Sequence, residues 1–552
     1  MPCWTDARAA AALIAALALA GPAWSQAPAP PGGAPLSSND WLSGRAPQPS
    51  RSMPAPSWRP GQPVPPDAQR RRPRPAPGLG PVAKTGAVAP VGVTRLSDGN
   101  PDAKGTLSAA AAGLPADLWG NASAGDAARA LAGYDPQLPA TRQAFLRLLT
   151  AQVAPPTGSA AGDEGSLFLA RIDRLIALGQ LPAARALAQA AGAGNAPIVG
   201  RRFDIALITG EEGALCETIG RKPGLAPGFG ARIFCLAQAG DWAAAALTLH
   251  GARADGLIPP TTVALLEAFL DDGAVDAPAE GEGAIPATET VTPLDFRLHE
   301  AIGEPLSTTD LPLAFAHADL RANGGWKARI EAAERLSRAG ALDPATLAQA
   351  YSEQAPAASG GVWDRAAAWQ DLDRALTAQD AAAAGQALER ADRLFADGRL
   401  TPTLAAMVAA RLPATGMTDE ARSIAARLRL IAGLPVTDAD ASPLDRWLSA
   451  LAHAPGTAAP LPPPPAEAPA AAADFAAALS PPASGGPAEG AEPPSSRGLA
   501  LIAALADVDA GASGDQRRAA AGLSHLVRLG QATLARQAAV ELLVLDPARP
   551  RP

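Results

Sequence analysis

The chain has 552 residues and a formal net charge of −8, and its 48% apolar share includes few aromatic residues (4%). This length excludes a small domain with one hydrophobic core and favours several sub-domains or an elongated array. Cores built mainly from alanine and leucine suit close helix packing better than sandwiches or barrels. We expect no nucleic-acid partner for a chain of this acidic balance.

The first 25 residues have the pattern of a secretory signal peptide. Arg8 and the free amine precede an apolar run at 9–20 that is too short to span a bilayer. Ala23-Trp24-Ser25 then offers small residues at the cleavage positions. An uncleaved anchor is the alternative. Because no later window approaches the length of a membrane helix, we expect a periplasmic or secreted protein without a span after cleavage.

Residues 26–105 form a basic, proline-rich arm that we expect to be disordered. Ten basic residues against four acidic ones give this arm a net charge of +6, which leaves −14 for the residues that follow. Trp41 and Trp58 are candidate docking anchors within it, with neutral drift as the alternative. The run QRRRPR at 69–74 could attract murein or anionic envelope polymers, or serve only solubility.

Helical patterning begins near Leu114. Ser123 is a predicted N-cap, with Asp126 three residues later in a capping-box arrangement. Apolar residues recur at helical spacing from Phe145 until two prolines end that helix. No strand-like alternation of any length follows.

Six later segments share an apolar helix that ends in a turn glycine. In five of them a leucine stands four residues before the glycine, which predicts a packing contact on the helix face. The first three glycines lie 31 and 30 residues apart, and sustained spacing of this kind with helical patterning predicts an α-solenoid, an all-α array of helical hairpins. The six glycines are Gly179, Gly210, Gly240, Gly340, Gly398 and Gly530.

The third turn reads AGDWAAAALTL, with Trp242, Ala245 and Leu249 at the second, fifth and ninth positions after Gly240. This pattern resembles the hairpin turn of a degenerate tetratricopeptide repeat, although the period is nearer thirty residues than thirty-four. The layout, with stretches such as LPADLWGNAS, RIFCLAQAGDW and LAFAHADLRANGGWKA, also resembles uncharacterised exported Ala/Pro-rich proteins of alphaproteobacteria. Neither resemblance supplies a catalytic residue.

Shifts in composition divide the chain after the arm. Acidic, glycine-rich and proline-rich stretches predict linkers between helical blocks. The predicted units are a first repeat block at 106–275, a linker at 276–293, a second block at 294–451, a Pro/Ala-rich linker at 452–497 and a C-terminal hairpin at 498–552. In the last unit Asp515 is a possible N-cap.

Cys216 and Cys235 form an even pair once Cys3 leaves with the signal peptide. Each lies in a predicted helix, and a Gly/Pro loop joins the two helices. Antiparallel neighbours joined in this way would bring the sulfurs together, so we predict a disulfide, with two separate buried thiols as the alternative.

No pattern of catalytic or metal-binding residues stands out. The five histidines are scattered, the glycine-rich stretch at 224–230 lacks the Lys and Ser/Thr of a phosphate loop, and nucleophile-elbow motifs are absent. We therefore expect no enzyme, no metal and no cofactor. The enzymatic alternative needs His299, Glu300, His317 and Asp319 to converge in one pocket.

One segment, Pro293–Arg365, concentrates aromatic and charged residues that the chain otherwise uses sparingly. Trp, Tyr and Arg commonly anchor protein interfaces, so this segment is the candidate binding surface. The alternative is that the aromatics fill an irregular core between helix pairs. The candidate residues are Phe296, His299, Phe315, His317, Arg321, Trp326, Lys327, Tyr351, Trp363 and Arg365.

These patterns favour an exported, non-catalytic helical-repeat scaffold that binds other envelope proteins. A periplasmic accessory factor that binds murein or a polysaccharide is the alternative. Co-sedimentation with purified murein that is lost on deletion of residues 26–105 would favour the second function.

Overall fold

A computed structural model of the protein describes residues 99–160, 162–192, 194–271, 290–321, 324–436, 441–454, 462–480 and 496–545. The predicted signal peptide, Trp41, Trp58 and the basic run at 69–74 lie outside these residues. The last residues of the predicted arm lie inside them and are folded. Pro101–Ala103 forms a 3₁₀ turn in which the Asp102 carboxylate accepts hydrogen bonds from the amides of Gly165 and Phe168.

The described residues form twenty-three α-helices and one strand pair, which confirms the all-α prediction. The two-residue strands are β1 (Leu107–Ser108) and β2 (Ala151–Gln152), which pair in parallel. The helices are α1 (Ala109–Ala112), α2 (Ala124–Gly133), α3 (Pro139–Thr150), α4 (Ser166–Ala177), α5 (Leu181–Ala190), α6 (Ala196–Thr209), α7 (Gly213–Arg221), α8 (Phe229–Gln238), α9 (Trp242–Ala254), α10 (Pro260–Leu270), α11 (Pro293–Ala301), α12 (Ala316–Asp319), α13 (Trp326–Arg338), α14 (Pro344–Ser352), α15 (Val362–Thr377), α16 (Ala381–Asp397), α17 (Thr401–Val408), α18 (Asp419–Ile431), α19 (Pro443–His453), α20 (Ala471–Leu479), α21 (Arg497–Asp509), α22 (Gln516–Arg528) and α23 (Ala532–Val544).

Local sequence signals set the ends of these helices. Ser123 caps α2 as predicted, because its hydroxyl accepts a hydrogen bond from the Asp126 amide and donates one to the Asp126 carboxylate. Asp515 caps α22 as predicted, because its carboxylate accepts a hydrogen bond of 3.1 Å from the Arg518 amide. Side-chain caps of this kind satisfy amides that the first turn of a helix leaves without partners.

The predicted turn glycines mark the ends of hairpin helices. Five of the six have φ between 63° and 83°, the left-handed region that glycine enters without steric cost. Gly398 differs: its φ is −77°, and Arg399 takes the left-handed conformation instead. The hairpin turn at that site therefore lies one residue later than the glycine spacing predicts.

The position four residues before each glycine faces the interior. Leu175, Leu336 and Leu526 are fully buried, and Leu236 and Leu394 are partly buried against the same clusters. The small residues after the turns are buried as well, including Ala184, Ala245 and Ala535. This burial accounts for the repeat pattern, because small side chains let the second helix of a hairpin approach the first.

One large apolar cluster runs from α1 to α23 and includes residues of every predicted block. A second cluster, on α6 to α11, surrounds the two cysteines. The helix α20 lies within the stretch 452–497 that the sequence predicts as a linker, and the part of the linker at 276–289 lies outside the described residues.

The last helices pack on the first. Helix α23 contacts α3 as well as α18, α19, α20 and α22, and α21 contacts α2 and α3. Nine of the thirteen residues of α23 are buried, so this helix is enclosed on most sides. The last helix of an array that ends in a hairpin would instead bury only one apolar face.

The predicted cysteine pair is present at disulfide-bonding distance. Cys216 on α7 and Cys235 on α8 have Cα atoms 4.9 Å apart, and the bond spans 19 residues of chain. We expect reduction to lower the free energy of unfolding by about 3 kcal/mol, since the unfolded chain regains the freedom of this loop. Urea unfolding with and without reductant measures the change. A Cys216→Ala, Cys235→Ala double variant must not respond to reductant, and an unchanged wild-type midpoint would contradict the expectation.

Among the helices of the described ranges, none has both the length and the apolar character needed to cross a lipid bilayer.

Candidate functional site

The aromatic residues of the predicted binding surface lie mostly in the core. Phe296, Phe315, Trp326 and Tyr351 are at most 8% exposed, and Trp363 is partly buried with its ring centroid 4.9 Å from that of Trp326. The indole of Trp326 donates a hydrogen bond to the Ala350 carbonyl, at 2.7 Å. These side chains therefore fill the core between helix pairs, which is the alternative interpretation of this segment.

The charged residues of the same segment are engaged in local contacts. Arg321 pairs with Glu300, and Lys327 pairs with Glu331 on the exposed face of α13. Arg365 donates two hydrogen bonds of 2.7 Å to the buried carboxylate of Glu334, which also accepts from the Tyr351 hydroxyl. The contacts of Glu334 hold α13, α14 and α15 together, and among the arginine and lysine candidates only Lys327 is well exposed.

Three of the four residues of the enzymatic alternative have separate partners, and the buried Nδ1 of His299 has no hydrogen-bond partner among the described residues. The carboxylate of Glu300 pairs with Arg297 and Arg321, that of Asp319 accepts from the Thr308 hydroxyl, and the His317 ring lies 2.7 Å from the Gly179 carbonyl. Burial lowers the pKa of His317. Within the described ranges, no group of three or more His, Cys, Asp or Glu residues is arranged to hold a metal ion.

Side chains from distant hairpins bind the carbonyls at several helix turns. The Gln180 amide donates to the Gly340 carbonyl at 2.7 Å, and the Gln531 amide donates to the Gly113 carbonyl at 2.9 Å. Helix ends leave carbonyls without partners, so these contacts satisfy them and fix neighbouring hairpins to one another.

Polar side chains of α23 bind the ends of three other helices. Arg536 donates to the Ala454 carbonyl at the C-terminus of α19, and Gln537 donates to the Leu430 carbonyl at the C-terminus of α18. Glu541 accepts from the Ala140 amide, at 2.9 Å, in the first turn of α3. The Arg536 cation lies at a helix C-terminus, where the helix dipole favours positive charge.

A second carboxylate joins Glu541 at the N-terminus of α3, which has no side-chain cap of its own. Asp509, at the end of α21, accepts from the Tyr134 hydroxyl at 2.6 Å and from the Thr141 hydroxyl at 2.8 Å. It also accepts from two amides that precede α3, those of Gln137 and Leu138. Burial raises the pKa of Asp509, against the effect of these donors.

These packed ends surround a cavity of about 710 Å³. Its walls come from α1, α3, α13, α14, α17, α18, α21 and α23, together with the turns that follow α1, α13, α18 and α22. Arg142 and Arg147 of α3 line it, as do several apolar side chains, including Leu146, Leu342 and Leu534. The volume lies in the range of small-molecule sites.

Exposed apolar residues concentrate at a different place. Of the five exposed large apolar side chains in the described residues, four lie on α8, α9 and the turn that follows α9: Phe229 (40%), Trp242 (50%), Leu247 (74%) and Leu257 (52%). The exposed side of α9 also carries Ala243, Ala246, His250 and Ala254. We call this surface, Phe229 together with the exposed residues of α9 and Leu257, the α9 face.

Sequence reasoning singled out Trp242 as part of a repeat turn and missed the α9 face. The position of Leu247 could have indicated the α9 face. Leu247 lies two residues before Leu249, so the two side chains cannot both lie on the buried side of the helix. The cavity had no local signal, because its walls come from segments far apart in the chain. Comparison of the chain with models of protein families, with curated proteins and with solved structures finds no match.

Proposed function

We propose that the protein is an exported, non-catalytic helical-repeat scaffold that binds another envelope protein through the α9 face. The observation that carries the proposal is the concentration of exposed Trp242, Leu247 and Leu257 on one hairpin, while almost all other large apolar residues in the described ranges are shielded. Large apolar side chains exposed close together in the sequence of one hairpin are a candidate interaction site. The signal-like segment at 1–25 and the cysteine pair support export.

The partner surface that fits the α9 face is an amphipathic helix. Ala243, Leu247, His250 and Ala254 are exposed at spacings of four, three and four residues, the spacing of a helix–helix seam. The alanines permit close approach of a second helix backbone, and Leu247 supplies an apolar side chain at the middle of the seam. Trp242, whose ring centroid lies 6.0 Å from that of Phe269, borders the seam at the N-terminus of α9.

Affinity capture from envelope extracts tests this proposal. Wild-type protein is immobilised beside two variants, Leu247→Asp on the α9 face and Leu107→Asp, which changes the fifth exposed apolar residue outside that face. We expect Leu247→Asp to lower the recovery of the partner at least about tenfold, since a buried unpaired carboxylate is costly, and Leu107→Asp to leave it unchanged. A synthetic peptide of the partner's amphipathic helix should compete for binding.

Two outcomes would contradict the proposal. Equal recovery by both variants would show that the partner binds elsewhere. A wild-type dimer that Leu247→Asp converts to a monomer, measured by light scattering after size-exclusion chromatography, would assign the α9 face to a second copy of the chain.

A further inference from the structure

Two arginines line the cavity between α3, α13, α18 and α23 without an ion pair in the described part of the chain. Arg142 makes one weak contact, with the Gln137 carbonyl at 3.5 Å, and has no carboxylate at ion-pair distance in the described part of the chain. Burial lowers the pKa of its guanidinium, and Asp509, Glu541 and Asp135 oppose this effect without any of them lying at ion-pair distance. Arg147, one and a half turns further along α3, likewise has no ion pair among the described residues.

The one acid among the described lining residues is Glu541, and its oxygens are engaged. One accepts from the Ala140 amide and the other from the Gln537 amide, at 2.9 and 3.1 Å. Glu541 therefore hydrogen-bonds the N-terminus of α3 and acts on Arg142 only at longer range, without an ion pair. The free capacity of the cavity is for an anion.

An independent feature also indicates a ligand. Ser337, on α13, is 5% exposed and lines the cavity, and its hydroxyl has no hydrogen-bond partner in the described residues. Buried hydroxyls are nearly always paired, so an orphan beside a cavity is a candidate ligand contact. The remaining wall includes Leu146, Leu342 and Leu534, which suit an apolar body.

The turn glycine at 340 permits this arrangement. A Cβ atom built on Gly340 would lie 2.7 Å from Cδ of Arg142, so any larger residue would displace that arginine. The φ of +63° also favours glycine here. The hairpin turn thus has a second consequence besides ending α13: it leaves room for the Arg142 side chain at the cavity wall.

We propose that this cavity binds a small amphiphilic carboxylate, with its anionic group at Arg142 and Arg147, a polar contact to Ser337 and its apolar body against the leucines. The proposal concerns a site separate from the α9 face and stands whether or not that face binds a protein. Guanidinium groups are the side chains best suited to carboxylates, because their planar donors match both carboxylate oxygens.

Isothermal titration calorimetry of the full chain with dodecanoate below its micellar concentration tests the proposal. Dodecyltrimethylammonium and dodecanol, with the same chain but a positive or no charge, are the comparison probes. We expect dodecanoate to bind with one-to-one stoichiometry and at least about tenfold more tightly than either, a difference of about 1.4 kcal/mol. Equal binding of the three probes, or no binding of dodecanoate, would overturn the proposal.

Variants separate this site from non-specific binding. Arg142→Gln with Arg147→Gln should weaken dodecanoate at least about tenfold, whereas Arg528→Gln, on α22 outside the cavity, should not. Ser337→Ala removes only an unpartnered hydroxyl and should weaken binding about two- to tenfold in a chain that folds normally. Gly340→Ala should weaken binding more than Gly240→Ala, since both have positive φ but only Gly340 faces Arg142. Unchanged affinity in the double arginine variant and in Ser337→Ala would refute the assignment.

Discussion

Replacing Asp509 by alanine is expected to lower the free energy of unfolding by about 3–5 kcal/mol, because the carboxylate serves four donors at once. The hydroxyls of Tyr134 and Thr141 and the amides of Gln137 and Leu138 would lose their acceptor. All of these donors lie near the first turn of α3, so the change separates the N-terminal helices from the C-terminal ones. Urea unfolding followed by circular dichroism measures the loss.

A matched control lies two residues away on the same helix. Asp507 accepts from Arg518 at 2.7 Å in a more exposed ion pair, so Asp507→Ala should cost no more than about 1 kcal/mol. Hydrogen exchange gives a second readout: the amides of Gln137 and Leu138 should exchange faster in Asp509→Ala only. Equal losses of stability in the two variants would contradict the role assigned to Asp509.

The sequence predicted the hairpins because the signals are local. Gly179, Gly240 and Gly340 take the left-handed conformation that glycine adopts without cost. The leucine four residues before each of them lies on the helix face that packs against the neighbouring helix. Where a residue other than glycine takes the left-handed conformation, the spacing of turn glycines does not predict the turn. Gln379, with φ of 56°, lies in the turn between α15 and α16, so the spacing of glycines does not predict this turn.

The packing of the last helices on the first could not be predicted from spacing. Asp509 and Glu541 contact residues about 370 to 400 positions earlier in the chain, and no periodicity links such positions. Two local features were nevertheless informative. Leu138 precedes Pro139 without a Ser, Thr, Asp or Asn at the cap, so α3 needs an outside partner for its amides. Helix α23 is apolar on most sides, which is typical of an enclosed helix.

The aromatic segment at 293–365 shows why composition alone did not locate a surface. Helices built from alanine leave spaces between them, and large side chains such as Phe296 and Tyr351 fill those spaces. The same residue types anchor interfaces and cores, so their enrichment did not distinguish the two. The α9 face is distinguished by the opposite feature, an exposed Leu247 among small residues.

The second large effect is a dependence of stability on pH that Glu541 introduces. Burial raises the pKa of Glu541 to about 7, against the opposing effect of the Ala140 amide, while the unfolded chain has the ordinary value of 4.5. The folded state therefore holds a proton that the unfolded state releases, so this contribution to stability is complete below about pH 4.5. It is lost as the pH rises through about 7, a decrease of roughly 3 kcal/mol at about 1.4 kcal/mol per pKa unit.

Unfolding midpoints of wild type and Glu541→Gln between about pH 4.5 and 8 measure this contribution, because the amide keeps an acceptor for Ala140 but cannot titrate. The charged groups around Glu541 are Arg142 and Asp509, and both remain in the variant. Asp204 on α6, whose pKa burial raises to about 6, adds a dependence of the same sign, so Asp204→Asn is the comparison variant. We expect Glu541→Gln to flatten the pH profile between about 6 and 7 while keeping the decrease that Asp204 adds below about 6, and Asp204→Asn to keep the decrease that continues up to about 7. If Glu541→Gln follows the wild-type profile throughout, the carboxyl is ionised in the folded protein and its contact with α3 is an ordinary charged cap.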